Sequence, residues 1–208
     1  RALRVAERVA GGSERLICEV LSTMPYPLER VMQRRAMGRF RVTHKASLDD
    51  PQDVYRSENA RPEDWVMMST QDTPSIWQVI SDWTESGERK ARAARVAGRL
   101  ARNAPRREAL ERELATDAAR LVTGMLAELL ACRAGHVLVF FTDLLGIAEP
   151  YNRPGVTSPL NWALRAPPLR PGGDAPLPID VPGACALALR ARGLDDPELL
   201  AALEARAR

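Results

Sequence analysis

Histidine and cysteine are scarce in this chain of 208 residues, which has two of the first and three of the second. His44 and His136 lie far apart and offer no ligand spacing for zinc. Cys18, Cys132 and Cys185 are odd in number, widely spaced and set among apolar neighbours, so they read as reduced core thiols rather than a disulfide framework. No apolar run approaches the roughly 20 residues that span a bilayer. The amino end, RALRVAERVAGGSERL, lacks the long apolar stretch and small-residue cleavage site of a secretory signal. No membrane partner is therefore expected, and the expected compartment is the cytoplasm. A strong charge imbalance is absent too: 30 basic against 27 acidic residues leave a net charge of +3. The chain opens on Arg1 rather than Met, from which we expect it to be a cut or incomplete product with essential parts upstream.

What is present is 45% apolar and 27% charged, the balance of a globular protein able to bury a core. Residues 1–10 carry helical spacing (Leu3, Val5, Ala6, Val9) that Gly11 and Gly12 stop before an apolar strand, LICEVL, at 16–21. PLERVMQRRAMG then reads as an amphipathic helix ended by Gly38, and GRFRVTHKA at 38–46 alternates as a strand does. The stretch 47–64 is polar, with two prolines, and reads as a long loop of the kind that carries function. Trp65 to Ser69 is the next strand, and from Pro74 a helix follows with Ile76, Val79, Ile80 and Trp83 on one face. Residues 85–134 divide at Ser86-Gly87 and at Asn103-Ala104-Pro105 into helical stretches. HVLVFFTDLLG at 136–146 is the most apolar strand, expected to be covered on both faces. A loop at 149–183 and a short helix from Pro197 complete the chain. Helices alternating with strands predict an α/β fold with a parallel sheet, but four strands are too few to close a barrel.

Two of those strands run into a single acid beside a turn: Glu19 in LICEVL and Asp72 in WVMMSTQDTP. Parallel sheets gather chemistry at their carboxyl ends, and an acid there is costly to bury without a partner or a task. A plainer role for Asp72 is to cap the helix that follows it.

Four blocks carry a resemblance. ICEVL at 17–21, GRFRVTHKASLDDPQDVYRSEN at 38–59, WVMMSTQDTP at 65–74 and FTDLLGIAEPYNRPGVTSPLNWALR at 141–165 resemble successive blocks of the 4-alpha-glucanotransferases, the amylomaltase or disproportionating-enzyme family (glycoside hydrolase family 77). The last block is the most specific, with Asp143, Leu144, Leu145, Gly146, Glu149, Asn152, Pro154, Gly155, Asn161 and Trp162 in the family's order. The resemblance implies the carboxyl-terminal half, about strands 5–8, of a (β/α)8 TIM barrel. On that reading residues 1–170 are the half-barrel, with a helical insertion at 85–134, and 171–208 form a terminal loop and helix.

The resemblance also implies roles. Glu19 falls where the family has its general acid/base and Asp72 where it has the Asp that stabilises the transition state. Gln71, Asn152, Pro154, Tyr55 and Trp162 fall among substrate-binding positions or on loops able to carry glucan. The family's nucleophile lies in an Arg-x-Asp motif, and no such tripeptide occurs in this chain. Retaining transfer uses a carboxylate nucleophile and an acid/base about 5–5.5 Å apart. The implied activity is transfer of α-1,4-glucan segments between malto-oligosaccharides by double displacement, with no metal and no cofactor. The nucleophile-bearing half is then expected outside this chain, and the partners are glucans together with either that missing half or a second copy. Two positions depart from the family pattern: Gln71 stands where the family has His, and Glu19-Val20-Leu21-Ser22 where it has Glu-Asp-Leu-Gly. Gln hydrogen-bonds a hydroxyl but carries no charge. The alternative reading is therefore a glucan-binding or scaffolding fragment without chemistry. The basic run 89–107 has the charge of a nucleic-acid stripe. Without interleaved aromatics, and with Ala, Val and Leu on the other face, it reads as an Arg-rich solvated helix, so no nucleic acid is expected.

Overall fold

A computed structural model describes residues 2–20, 24–166 and 177–207. The carboxyl end of the expected first strand (Leu21), the departure at Ser22 and the 167–176 portion of the long loop lie outside the described residues. The chain divides into two compact units, one made of residues 1–67 with 132–138 and the other of 68–131 with 139–208.

The first unit holds a four-stranded, wholly parallel sheet in the order β1 (Ile17–Cys18), β2 (Gly38–Val42), β3 (Trp65–Met67), β4 (His136–Val137). Ile17 pairs with Gly38, Phe40 with Trp65, and Trp65 with His136, whose ring stacks on the indole with centroids 4.5 Å apart. Gly38 is required where it stands, since a Cβ there would lie 1.6 Å from the Glu63 carbonyl oxygen. Helices α1 (Ala2–Ala10) and α2 (Tyr26–Arg34) belong to this unit. Val20, Met32 and Met37 form its small core, with Leu3, Leu16, Cys18 and Met24 packed against them. Burial in that core raises the Cys18 thiol above its ordinary pKa. Helix α2 ends before the expected Gly38. Ala36 takes the left-handed conformation (φ 48°), and Met37 N–H donates to the Met32 carbonyl at 3.0 Å, closing the helix as a glycine cap would.

The second unit is helical: α3 (Ile76–Ser86), α4 (Arg89–Leu100), α5 (Ala104–Thr116), α6 (Ala118–Ala131), the short α7 (Phe141–Leu145), α8 (Val181–Arg192) and α9 (Pro197–Glu204). Apolar α6 lies at its centre, buried from Leu121 to Leu129 and packed by α3, α4, α5 and α8. Gly124 lets α5 approach, because a Cβ there would sit 2.9 Å from Leu114. Both expected breaks are present. Gly87 closes α3 in the left-handed region, and Asn103 caps α5 by accepting from Arg106 N–H at 2.9 Å. A further break at Asp117, which accepts from Arg120 N–H at 2.9 Å, separates α5 from α6.

Three expectations need correction. The apolar stretch 136–146 is a two-residue strand followed by helix α7, and Val137 to Phe141 are half-buried rather than covered on both faces. Within the expected loop 149–183, helix α8 begins at Val181, with Pro182 in its first turn and the Asp180 side chain accepting from Gly183 N–H at 2.9 Å. Its alanine-rich inner face (Ala184, Ala186, Ala188) gives little apolar contrast to read. In the basic run, Arg92 stacks 4.6 Å over the Trp83 ring and Arg95 pairs with buried Glu128 at 2.9 Å, so these two cations are engaged within the unit rather than solvated.

Candidate functional site

In the second unit, Asp143 is fully buried and organises the turn and the helix that come after β3. One carboxylate oxygen accepts from Ile76 N–H at 2.9 Å, the other from the Ser69 hydroxyl at 2.7 Å, and the Asp143 carbonyl accepts from the Trp77 indole at 2.7 Å. Burial pushes the Asp143 carboxyl above the ordinary carboxylate range, against the opposing pull of the Ile76 and Ser69 hydrogen bonds. Ser75 caps α3 by accepting from Gln78 N–H. With Ser75 and Asp143 serving the helix end, Asp72 is not its cap.

Asp72 is held instead by two side-chain amides. Asn152 Nδ2 donates to Asp72 Oδ1 at 2.5 Å, and Gln71 Nε2 donates to Oδ2 at 3.0 Å. The Asn152 backbone N–H donates to the Gln71 carbonyl at 3.1 Å, so the turn at 70–73 and the loop after α7 are joined by side chain and main chain alike. Pro154 stands on the same cleft of about 390 Å³ as Asp72 and Asn152. The structure thus brings together four of the residues singled out in the sequence: Gln71, Asp72, Asn152 and Pro154. Each oxygen of Asp72 has spent one acceptor site on an amide and keeps another, and the side chain is half-buried.

The loop beyond Asn152 is braced by its own residues. Asn161 Oδ1 accepts from Arg153 N–H at 3.2 Å, and Asn161 Nδ2 donates to the Val156 carbonyl at 2.7 Å. Trp162 adopts φ 63°, a conformation that costs a bulky residue of order 1–3 kcal/mol unless its surroundings enforce it. Here its N–H donates to the Tyr151 carbonyl at 2.9 Å, Arg165 donates to its carbonyl at 2.6 Å, and its indole meets Tyr151 edge-on at 5.2 Å. Tyr151 meets Phe140 and Phe141 edge-on in turn. Trp162 is 52% exposed, which leaves an aromatic surface on this loop.

Glu19 and Tyr55 belong to the first unit. Glu19 is the residue after β1, and it is exposed. Tyr55 is half-buried in the loop after β2, where its N–H donates to Asp53 Oδ1 at 2.7 Å. That loop is far from slack. Asp53 also accepts from Ser47 N–H, Arg56 donates to the Ser47 and Leu48 carbonyls, and Asn59 donates to those of Pro51 and Asp53. Sequence reasoning missed Ser69 and Asp143 as a functional support. The signal was an acid following directly on the apolar run VLVFFT.

No family model matches this sequence, and no curated protein matches it. Among solved structures it superposes on the amylomaltase from Streptococcus agalactiae in complex with acarbose, with a TM-score of 0.55 and 16% identity over 91% of this chain. The fold is amylomaltase-like. The chain spans 30% of the length of that amylomaltase. It also aligns with the amylomaltase from Corynebacterium glutamicum at a TM-score of 0.45 and 18% identity, over 93% of this chain and 29% of that one. Among the described residues no group of His, Cys, Asp and Glu is placed to hold a metal ion, and no helix is long and apolar enough to cross a membrane.

Proposed function

We propose that this chain is the carboxyl-terminal half of a (β/α)8 glucanotransferase barrel, acting on α-1,4-glucans in the cytoplasm. The observation that carries the reading is the clamp on Asp72: two amide donors fix an acceptor-only carboxylate on an open cleft, in a chain whose fold resembles amylomaltase. A carboxylate so held is suited to accept hydrogen bonds from sugar hydroxyls and to favour positive charge developing at an anomeric carbon. Because both amides are neutral, they orient Asp72 without cancelling its charge. Glu19 is the proposed acid/base, giving its proton to the leaving oxygen and then taking one from the incoming sugar hydroxyl. The nucleophile is proposed to come from residues outside this sequence, which has no Arg-x-Asp. The exposed Trp162 and the cleft at Pro154 are proposed to carry acceptor glucan, and Tyr55 to contribute from its own loop. Acarbose, held by the Streptococcus agalactiae amylomaltase, represents the ligand class.

The second reading, a glucan-binding fragment without chemistry, is favoured by Gln71 in the place of a histidine and by the exposure of Glu19. Maltotriose disproportionation separates the two. The assay is run on this chain, on this chain mixed with the amino-terminal half encoded upstream, and on the continuous polypeptide, each beside its Glu19→Gln variant. Glucose and longer maltodextrins from the completed protein, lost on substitution, support the transferase. Acarbose binding without any turnover supports the second reading.

A further inference from the structure

Arg39, on β2, is only 8% exposed, yet its Nε has no hydrogen-bond partner among the described residues. Its Nη2 donates to the Val20 carbonyl at 2.9 Å, and its backbone N–H donates to Asp64 Oδ1 at 3.0 Å. The carboxylate that takes its backbone N–H is committed elsewhere as well, because Asp64 Oδ2 receives Arg41 Nε at 2.6 Å and Arg61 N–H at 2.8 Å. Asp64 thus pairs with the Arg41 guanidinium, and that of Arg39 has no ion pair among the described residues. A buried cation of this kind is costly unless an anion meets it. Burial, with Arg41 beside it, pulls Arg39 below its ordinary pKa.

The guanidinium also borders open space. Arg39 lines a cavity of about 110 Å³ and a wider cleft of about 600 Å³, both of which touch Met24, Glu29 and Val54. One water needs roughly 10–15 Å³ of such volume, so the smaller cavity has room for a multi-atom anion. Arg61 stands on its wall and Lys45 on the wall of the wider cleft. We propose that this cavity, wholly within the first unit, binds the carboxylate or phosphate group of a small molecule beside the Arg39 guanidinium. A fixed planar guanidinium suits an oxyanion better than a mobile ammonium does. The wider cleft receives the remainder of the ligand. Glu29 opposes the anion from the same wall, its carboxylate also accepting from Gln33 at 3.1 Å; Asp64, committed to Arg41, lines the cavity too, and Asp50 and Asp53 line the wider cleft. The site owes nothing to the glucan reading and stands if that reading fails.

The test is thermal unfolding of the 208-residue chain at constant ionic strength, with chloride exchanged stepwise for inorganic phosphate, acetate or glycerol phosphate. The proposal expects a saturable rise in midpoint, as a ligand that binds only the folded state produces. Arg39→Met should abolish it, and Arg39→Lys should weaken the apparent affinity by about tenfold, the loss of one charge-assisted hydrogen bond. Glu29→Gln should tighten it, since a like charge leaves the wall. A response to phosphate and glycerol phosphate assigns a phosphate ligand, and a response to acetate alone assigns a carboxylate. A general salting effect moves wild type and Arg39→Met together and overturns the proposal, as does a wild type that does not respond. Should Arg39→Met fail to fold by circular dichroism, Glu29→Gln decides: tighter binding supports the site and unchanged affinity overturns it.

Discussion

Replacing Asp143 separates its two contributions, the shape and hydrogen bonds of the side chain and its charge. Asp143→Ala leaves the Ile76 N–H and the Ser69 hydroxyl without their acceptor in a fully buried place. Each such orphan costs about 1–3 kcal/mol, so a loss of about 2–5 kcal/mol is expected, a large share of a domain's stability. Asp143→Asn keeps the volume, keeps an oxygen for Ile76, and turns an amide toward Ser69, whose hydroxyl can accept as well as donate. It also removes a carboxylate that burial holds above its ordinary pKa. That direction sets the sign of the pH effect. With the folded pKa raised above an unfolded value of about 3.9, the folded chain holds the proton over a pH range in which the unfolded chain has lost it. The stability this group lends is full below the unfolded pKa and is lost as pH rises through the folded one. Urea unfolding followed through the tryptophans, in steps from about pH 4 to 7, should therefore show Asp143→Asn improving relative to wild type as pH rises, and near neutrality within about 1 kcal/mol of it. Other carboxylates largely cancel in that difference. Should Asp143→Asn be as damaged as Asp143→Ala, with a gap that ignores pH, the ionised carboxylate would be required and the argument refuted.

Two further substitutions probe the loops. Asp64→Ala leaves Arg41 and the Arg39 N–H without their acceptor at a side chain 2% exposed, and an unfolding cost of about 3–5 kcal/mol is expected by urea titration. Asn152→Ala removes the 2.5 Å bond to half-buried Asp72 but leaves the main-chain tie to Gln71. A modest stability cost of about 1 kcal/mol is expected, together with faster limited proteolysis of the 149–165 loop; a proteolysis rate unchanged from wild type would show that the side-chain clamp does not secure that loop.

The sequence was most legible where polar and apolar residues contrast. Ile76, Val79, Ile80 and Trp83 announce α3, and the buried residues of α6 announce that helix, because their faces differ sharply in polarity. Helix α8 stayed hidden because alanine supplies its inner face, and alanine marks neither face. The run 137–141 misled for the opposite reason. Its apolar side chains are half-buried in an extended segment that leads into a five-residue helix, so composition alone cannot fix where pairing stops. Of the site, the acid after β3 and the Asn and Pro of the following loop were visible as blocks in order. Their contact was not, because 80 residues separate Asn152 from Asp72. The ties made by Asp53, Asp64 and Asn59 turn a stretch that reads as a long loop into an ordered one, since each side chain replaces a backbone partner that no strand or helix supplies.

Glu19 and Asp72 differ in how far this chain prepares them, and the difference tracks what each role demands. A stabilising carboxylate must be held in place, and two neutral amide donors do that for half-buried Asp72. A general acid must keep its proton near neutrality, which calls for apolar enclosure or a neighbouring negative charge. Glu19 is exposed, next to a short strand. In the proposed transferase the groups that enclose the general acid come with the nucleophile, since in a retaining site a carboxylate lies about 5–5.5 Å from it and favours its protonated form. Proton-transfer competence and nucleophile would then arrive together on assembly. Maltotriose disproportionation by the completed protein should accordingly be lowered by Asp72→Asn and lost with Glu19→Gln, and this chain alone should show none.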